Sequence, residues 1–376
     1  MSAPLSTAPL RVGFFPGSNG STRWDREIHP WSALATDAIR AEGAEVVPIS
    51  LEHLRDLPRE PELDIVHLNW PQSLAEPGAF KRRKYLPPAL FGRWFRGEVQ
   101  KRMRALEEAD VAVVWQVHDL PYDADPRRLE LLEHVFGQFY SRADGLLFYE
   151  ESAKPPVFEV LGDPGDRPLG IAHLGGYFDL HGPPVPRSEA RERLGLTERR
   201  KVFLYAGTVR WSRSPVAFLK RFLELSGPDD ILLVTGRGTN KLEAEHAHER
   251  VRFHSGMVGH DEFRDLICAS DFVINDAYRY LGSAIIRVAL GYGVPVIARS
   301  FGCTADIARG AFIDVPEHPR GLDEALATAL ELSGAEHEEM SRQALERDRE
   351  RPWSAYGRGC LDLYRRALHA RQGVPT

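Results

Sequence analysis

The stretch VFLYAGTVRWSRSPVAFLKRFLEL, residues 202–225, decides the fold. Lys201–Tyr205 is a short, mainly apolar run, too short for a helix and soon followed by a glycine, and reads as a strand of a sheet covered on both faces. A loop with Gly, Ser and Pro interrupts it, and Pro215–Leu225 then reads as a helix. The reading is strand, loop, helix. The same unit repeats toward the C-terminus: strands at 231–235, 252–254, 272–275 and 294–298, with helices at 262–269 and from about Ser283 to Tyr292. Alternation of this kind builds a parallel sheet covered by helices.

Upstream the pattern is similar. RVGFF at 11–15 reads as a strand, followed by a Pro/Gly/Ser/Asn loop to Gly20 and a helix carrying Trp31, Leu34, Ala38 and Ile39. Apolar runs at 45–49, 64–68, 111–117 and 145–149 add further strands. From about Leu161 to Arg200 the chain turns rich in Gly and Pro, with GDPGDRPLG and then HGPPVPRSE, a composition that resists regular structure and marks a linker. The last segment sets Trp353, Tyr356, Leu361, Tyr364 and Leu368 at roughly helical spacing. The expected organisation is an N-terminal Rossmann-like domain over 1–165, a linker over 166–200, a second Rossmann-like domain over 201–352, and a closing helix over 353–376. A chain of 376 residues exceeds what one core usually serves, which also favours two domains and a site between them.

Composition narrows the function. Hydrophobic residues at 43% and charged residues at 27% are those of an ordinary globular protein. A net charge of -6 argues against a general nucleic-acid binder, because phosphate recognition leaves a positive excess. Cys268, Cys303 and Cys360 are far apart and lack CxxC spacing, so they suggest neither a disulfide framework nor a zinc site and suit a reducing cytoplasm. No leader-like segment and no run of about 20 apolar residues appears, so a soluble cytoplasmic chain is expected, with attachment to the inner membrane surface left open. Neither GFFPGSNG nor TGRGTN is a GxGxxG loop, which disfavours a dehydrogenase, and no Walker A motif occurs.

Several stretches carry chemistry. Gly282, Ser283 and Ala284 open a helix, where free N–H groups and the helix dipole make a phosphate cradle; Ser283 also suits a plain N-cap. Arg210 and Arg213 follow the strand 201–205 in a loop, where fixed cations would meet an anionic ligand; solvated loop arginines are the alternative. His118 and Asp119 of VVWQVHDLPYD stand just past a strand, at the carboxyl edge where open α/β sheets bind ligands. Asp119 would orient the imidazole or act as a base itself. The loop PGSNGSTRWDREIH offers Gly17, Asn19, Gly20 and Glu27 near the same edge, and Asp25 as a base for an acceptor hydroxyl or as a helix-start acid. Glu150 and Glu151 follow the strand GLLFY, and Trp70 of HLNWP would stack on a sugar or fill the core.

These landmarks have an order: IAHLGGY at 171–177, SEARERLGL at 188–196, VFLYAGTVRWSRSP at 202–215, then LLVTGRG, RVRFHSGMV, ASDFVIND and GSAIIRVALGYGVPVIARSFG. In that order and spacing the chain resembles the GT-B glycosyltransferases, particularly family 4, most strongly from Ile171 to Asp306. The resemblance implies two Rossmann-like α/β domains facing across a cleft, with the closing helix crossing back to the first. It implies a hexosyltransferase that moves a sugar from a UDP- or GDP-linked donor to a glycan, lipid-linked or small-molecule acceptor, with no metal and no other cofactor. By the same resemblance Arg213 replaces the family's phosphate lysine, while the family's arginine after the glycine is Thr208 here. His118 becomes a sugar-contacting or catalytic residue, and Glu150 or Glu151, His173, Gly236 and Tyr280 line the cleft. The two glutamates the family spaces across 280–288 fall at Tyr280 and Val288, a departure that leaves the retaining or inverting outcome open. A nucleotide-sugar epimerase of the same fold and a non-catalytic sugar-binding protein are the alternatives.

One segment stands apart. Between Phe80 and Arg104 lie nine Lys or Arg against the single acid Glu98, interleaved with aromatic residues. Such a segment suits an anionic membrane surface or a lipid-diphosphate acceptor, or else a helix that simply covers the sheet.

Overall fold

The computed structural model describes residues 8–15, 30–57, 62–71, 88–122, 126–197, 200–209, 214–256, 258–277 and 280–372. The chain divides into two compact units, one of Met1–His173 with Trp353–Thr376 and the other of Leu174–Pro352. Each is built on a six-stranded parallel sheet.

The first sheet comprises β1 (Arg11–Phe15), β2 (Glu45–Pro48), β3 (Ile65–Leu68), β4 (Ala112–Gln116), β5 (Gly145–Phe148) and β6 (Leu169–Ile171), in the spatial order β2-β1-β3-β4-β5-β6. β3, β4 and β5 are buried along their whole length, which is why they read as continuous apolar runs. The helix Pro88–Glu108 lays Phe95, Val99, Met103 and Leu106 inward. The closing helix Trp353–Arg371 belongs to this unit and buries Tyr356, Leu363 and Tyr364 completely. Gly359 has to be a glycine, because any side chain there would collide with the carbonyl oxygen of Ile171 on β6. Polar anchors complete the seam. Tyr364 Oη bonds His67 Nδ1, while His67 Nε2 and Tyr356 Oη, the latter at 2.6 Å, both reach Gln116 Oε1. Burial holds His67 down at about 4, so the imidazole is neutral and Nδ1 accepts from the Tyr364 hydroxyl.

The second sheet comprises β7 (Val202–Ala206), β8 (Ile231–Gly236), β9 (Val251–Ser255), β10 (Phe272–Asn275), β11 (Val296–Ala298) and β12 (Phe312–Asp314). Its spatial order is β12-β11-β10-β7-β8-β9, the doubly wound order of dinucleotide-binding folds. Phe203, Phe218, Phe222 and Phe272 fill its core.

The stretch 166–200 is more structured than its Gly and Pro content predicts. It supplies β6 to the first sheet and two helices, Phe178–His181 and Arg187–Arg193, to the second unit. The cause is charge pairing: Arg187 and Arg191 hold Asp271 at 3.0 and 2.7 Å, and Arg193 holds Asp265 at 3.0 Å. Asp271 is almost wholly buried and also accepts from the backbone N–H of Val202, so this helix is tied to the first strand of its sheet.

Candidate functional site

In an open α/β sheet ligands collect beyond the carboxyl ends of the strands, where the strand order reverses. In the first sheet that point lies between β1 and β3, and Asn69, directly after β3, ties the two ends together by donating from Nδ2 to the Phe15 carbonyl at 2.8 Å. Its Oδ1 lies 2.7 Å from His118 Nε2, and Tyr149 Oη lies 2.9 Å from His118 Nδ1. Because Asn69 Nδ2 is already donating, Oδ1 accepts, so His118 carries its proton on Nε2 and Nδ1 receives the Tyr149 hydroxyl. The ring is buried, stacked on Trp70 at 4.4 Å and edge-on to Trp31 at 4.8 Å. Trp70 has a φ of 42°, a left-handed conformation that a bulky residue adopts only where its surroundings enforce it. His118 thus has both ring nitrogens engaged, one by Asn69 and the other by the Tyr149 hydroxyl. Asn69 and Tyr149 escaped the sequence reading; Asn69 stands beside Trp70 in HLNWP, and a polar residue at a strand's carboxyl end was the available signal.

The two neighbouring glutamates separate. Glu151 is exposed and pairs with Lys154 at 2.6 Å. Glu150 is buried, and its Oε1 accepts from His173 Nδ1 at 3.0 Å; the same N–H also lies 3.0 Å from the Tyr149 carbonyl. His173 follows β6, so Asn69, His118, Tyr149, Glu150 and His173 run along one carboxyl edge from β3 to β6. Asp119 is half-buried beside them.

In the second sheet the reversal lies between β7 and β10. Tyr205 on β7 donates from its hydroxyl to Asp276, just past β10, at 3.1 Å, another contact that the sequence did not announce. The helix Ala284–Gly291 starts beyond β10, with Ser283 as its extended N-cap. The Ser283 side chain makes no cap hydrogen bond to that first turn. Leu281 is buried and its carbonyl accepts from the Cys303 amide at 2.8 Å, which fixes the approach through Tyr280 and Gly282. Gly236 has a φ of 132°, and a side chain there would collide with the Gly207 carbonyl. This close approach lets Gly207 N–H bond the Thr235 carbonyl and Val209 N–H bond the Arg237 carbonyl, both at 2.9 Å, fixing the root of the loop that carries the two arginines. Gly236 therefore shapes the edge through its backbone.

Gly17, Asn19, Gly20, Asp25, Glu27, Arg210 and Arg213 lie outside the described residues, as do residues 80–87 of the basic segment. In the described remainder of that segment Arg102 is buried against Glu98, Lys101 pairs with Glu98 and Arg96 with Glu130, while Leu90 is exposed. That is how a helix covering a sheet behaves. No group of three or more His, Cys, Asp or Glu among the described residues is arranged to hold a metal ion. An open concavity of about 680 Å³ lies along β9, lined by Glu243, His248, Arg252 and His254 among others, and by none of the site residues named above.

No protein-family model matches the chain. It is similar to a D-inositol 3-phosphate glycosyltransferase of a Nocardioides species, 27% identical over 210 aligned residues covering 49% of this chain and 45% of the relative, so the match spans less than half of that protein. Solved structures match nearly end to end, among them the following three. Sucrose-phosphate synthase of Thermosynechococcus elongatus has a TM-score of 0.69 at 15% identity, covering 96% of this chain and 100% of its own. Anabaena HepE in complex with UDP-glucose has a TM-score of 0.64 at 12% identity, covering 97% and 100%. Trehalose 6-phosphate synthase of Burkholderia multivorans has a TM-score of 0.62 at 12% identity, covering 96% and 99%. The chain has the fold of the GT-B glycosyltransferases, and the resemblance read from its ordered motifs is borne out.

Proposed function

We propose that this protein is a hexosyltransferase that moves a sugar from a UDP- or GDP-linked donor to a glycan, lipid-linked or small-molecule acceptor, in polysaccharide or glycoconjugate biosynthesis. The observation that carries the reading is the start of the helix Ala284–Gly291, to which its N-cap side chain makes no hydrogen bond, at the strand-order reversal of a doubly wound sheet. Backbone N–H groups and the positive end of the helix dipole bind a diphosphate there. Arg210 and Arg213, on the loop rooted at the neighbouring strand, would supply the fixed cations that stabilise the leaving group. The relatives are transferases and synthases, which favours transfer over an epimerase or a passive sugar binder.

With that charge supplied by the protein, we expect transfer without a divalent cation. The three free cysteines are all buried, in keeping with work in the cytoplasm. No helix among the described residues is long and apolar enough to cross a membrane. The exposed Arg93, Arg104 and Leu90 of the helix Pro88–Glu108 are what remains to support contact with an anionic lipid surface.

Thermal protection by nucleoside diphosphates tests the donor site. UDP or GDP at 100 times its Kd should stabilise the fold by about 2.7 kcal/mol. No protection by any nucleoside diphosphate would remove the basis of the reading.

A further inference from the structure

We infer that the ion pair of Arg287 and Asp348 is a positioning device of the donor site: it fixes where the helix Ala284–Gly291 stands, and with it the N–H groups offered to the donor diphosphate; the inference rests on the glycosyl-transfer reading above. All of the residues involved belong to the second unit. Arg287 is the fourth residue of that helix, and its amide bonds the Ser283 carbonyl, closing the first turn. Its guanidinium is wholly buried and donates from Nη2 to Asp348 Oδ1 at 2.8 Å. It also reaches the carbonyls of Arg347 and Asp348, both at 3.4 Å, at the end of the helix Gly334–Arg349. A helix leaves its last carbonyls short of intrahelical partners, and a cation there also meets the negative end of its dipole.

The carboxylate is enclosed from other sides as well. Gly176 lies so close that a β-carbon there would stand 2.8 Å from Asp348 Oδ1, and one at Gly291 would stand 3.4 Å from the same oxygen. Arg287 and Gly291 are four residues apart and so share a helix face, which sets two points of one face against a single carboxylate. Around them Ile285, Ile286, Val288 and Leu290 are buried apolar side chains. Apolar burial has no direction of its own. A charge-assisted hydrogen bond is short and directed, and here it specifies the position of the helix along its axis.

The pair is a poor source of stability. Burial pushes the Asp348 carboxyl up against the pull of Arg287 and Arg349, so the attraction between the two charges is offset by removing them from water. Two apolar residues of similar volume commonly stabilise such a place as well or better. What an apolar pair does not supply is a fixed register, and in this helix the register decides where the first-turn N–H groups stand.

The test compares the full-length wild type with Arg287→Met, Asp348→Leu and the double variant, measuring the thermal midpoint and the calorimetric affinity for UDP and GDP. Each single variant leaves one buried charge without its partner and should melt well below the wild type. The double variant should recover most of that midpoint yet bind the diphosphate about tenfold more weakly, with donor KM raised by a similar factor. Asp348→Asn, which keeps an acceptor for Arg287, should regain most of the affinity that Asp348→Ala loses, a comparison that stands by itself where the double variant fails to fold. A double variant with recovered midpoint and wild-type nucleotide affinity overturns the inference, as do Asn and Ala variants at 348 that bind equally; both results leave the functional reading standing. A wild type that binds neither UDP nor GDP overturns that reading as well.

Discussion

The two carboxyl edges solve the same topological problem with different materials. At the reversal of the first sheet the strand ends are joined by side chains: Asn69 bridges to Phe15, His118 is clamped by Asn69 and Tyr149, and tryptophans enclose it. At the reversal of the second sheet most of the structure is backbone: Gly236 against Gly207, two amide–carbonyl pairs holding the loop root, and a helix start to which Ser283 gives no side-chain cap bond. The difference matches the ligands proposed for each. A diphosphate is the same in every nucleotide sugar and is well served by N–H groups that any sequence carries, whereas an acceptor is particular and calls for particular side chains.

That contrast can be broken most severely at Gly236. Gly236→Ala combines a positive φ with a collision against the Gly207 carbonyl, and should cost about 4 kcal/mol in urea unfolding. A tolerated substitution would mean that the second edge does not depend on this backbone approach. Next comes pH, which should act on the first unit through His67. Its folded value of about 4 lies below the ordinary 6.5, so the unfolded chain takes up the proton first as pH falls. The stability it contributes is complete above about pH 6.5 and is lost between there and pH 4, about 3 kcal/mol in all. Urea titrations across that window should show the slope in the wild type and a flatter one in His67→Phe.

A smaller effect isolates the helix start. Proline is at home in the first turn of a helix, and Ser283 before it is already extended, so Ala284→Pro deletes one N–H and should leave the fold intact. UDP or GDP affinity should drop roughly tenfold, about 1.4 kcal/mol, in calorimetric titration. The smallest effect is expected from Glu151→Ala, which removes an exposed pair with Lys154 and should leave both thermal midpoint and transfer rate unchanged.

Much of the architecture was legible because parallel strands buried on both faces write themselves as apolar runs, and β3, β4, β5, β7 and β10 are of that kind. Within 166–200 the Gly and Pro content hid the strand Leu169–Ile171, while the helix Arg187–Arg193, which the motif SEARERLGL resembles, is held by Arg187, Arg191 and Arg193 reaching aspartates some seventy or more residues away. The helix Gly334–Arg349 went unread for a related reason: with only His337 and Ala344 buried it carries almost no apolar stripe. At the site, the sequence supplied the residues at strand ends but not their pairing. Glu150 and Glu151 are indistinguishable as letters; one points inward to His173 and the other outward to Lys154. Likewise His118 looked like the reactive imidazole, and only the partners Asn69 and Tyr149 show that it is fully engaged.

The most direct test of glycosyl transfer is release of nucleoside diphosphate from a panel of UDP- and GDP-sugars, with and without sugar, polyol and lipid-linked acceptors. Acceptor-dependent release of UDP or GDP, with the sugar recovered on the acceptor and the rate unaffected by EDTA, is the result predicted here. No release from any donor, together with no binding of either diphosphate, would contradict it.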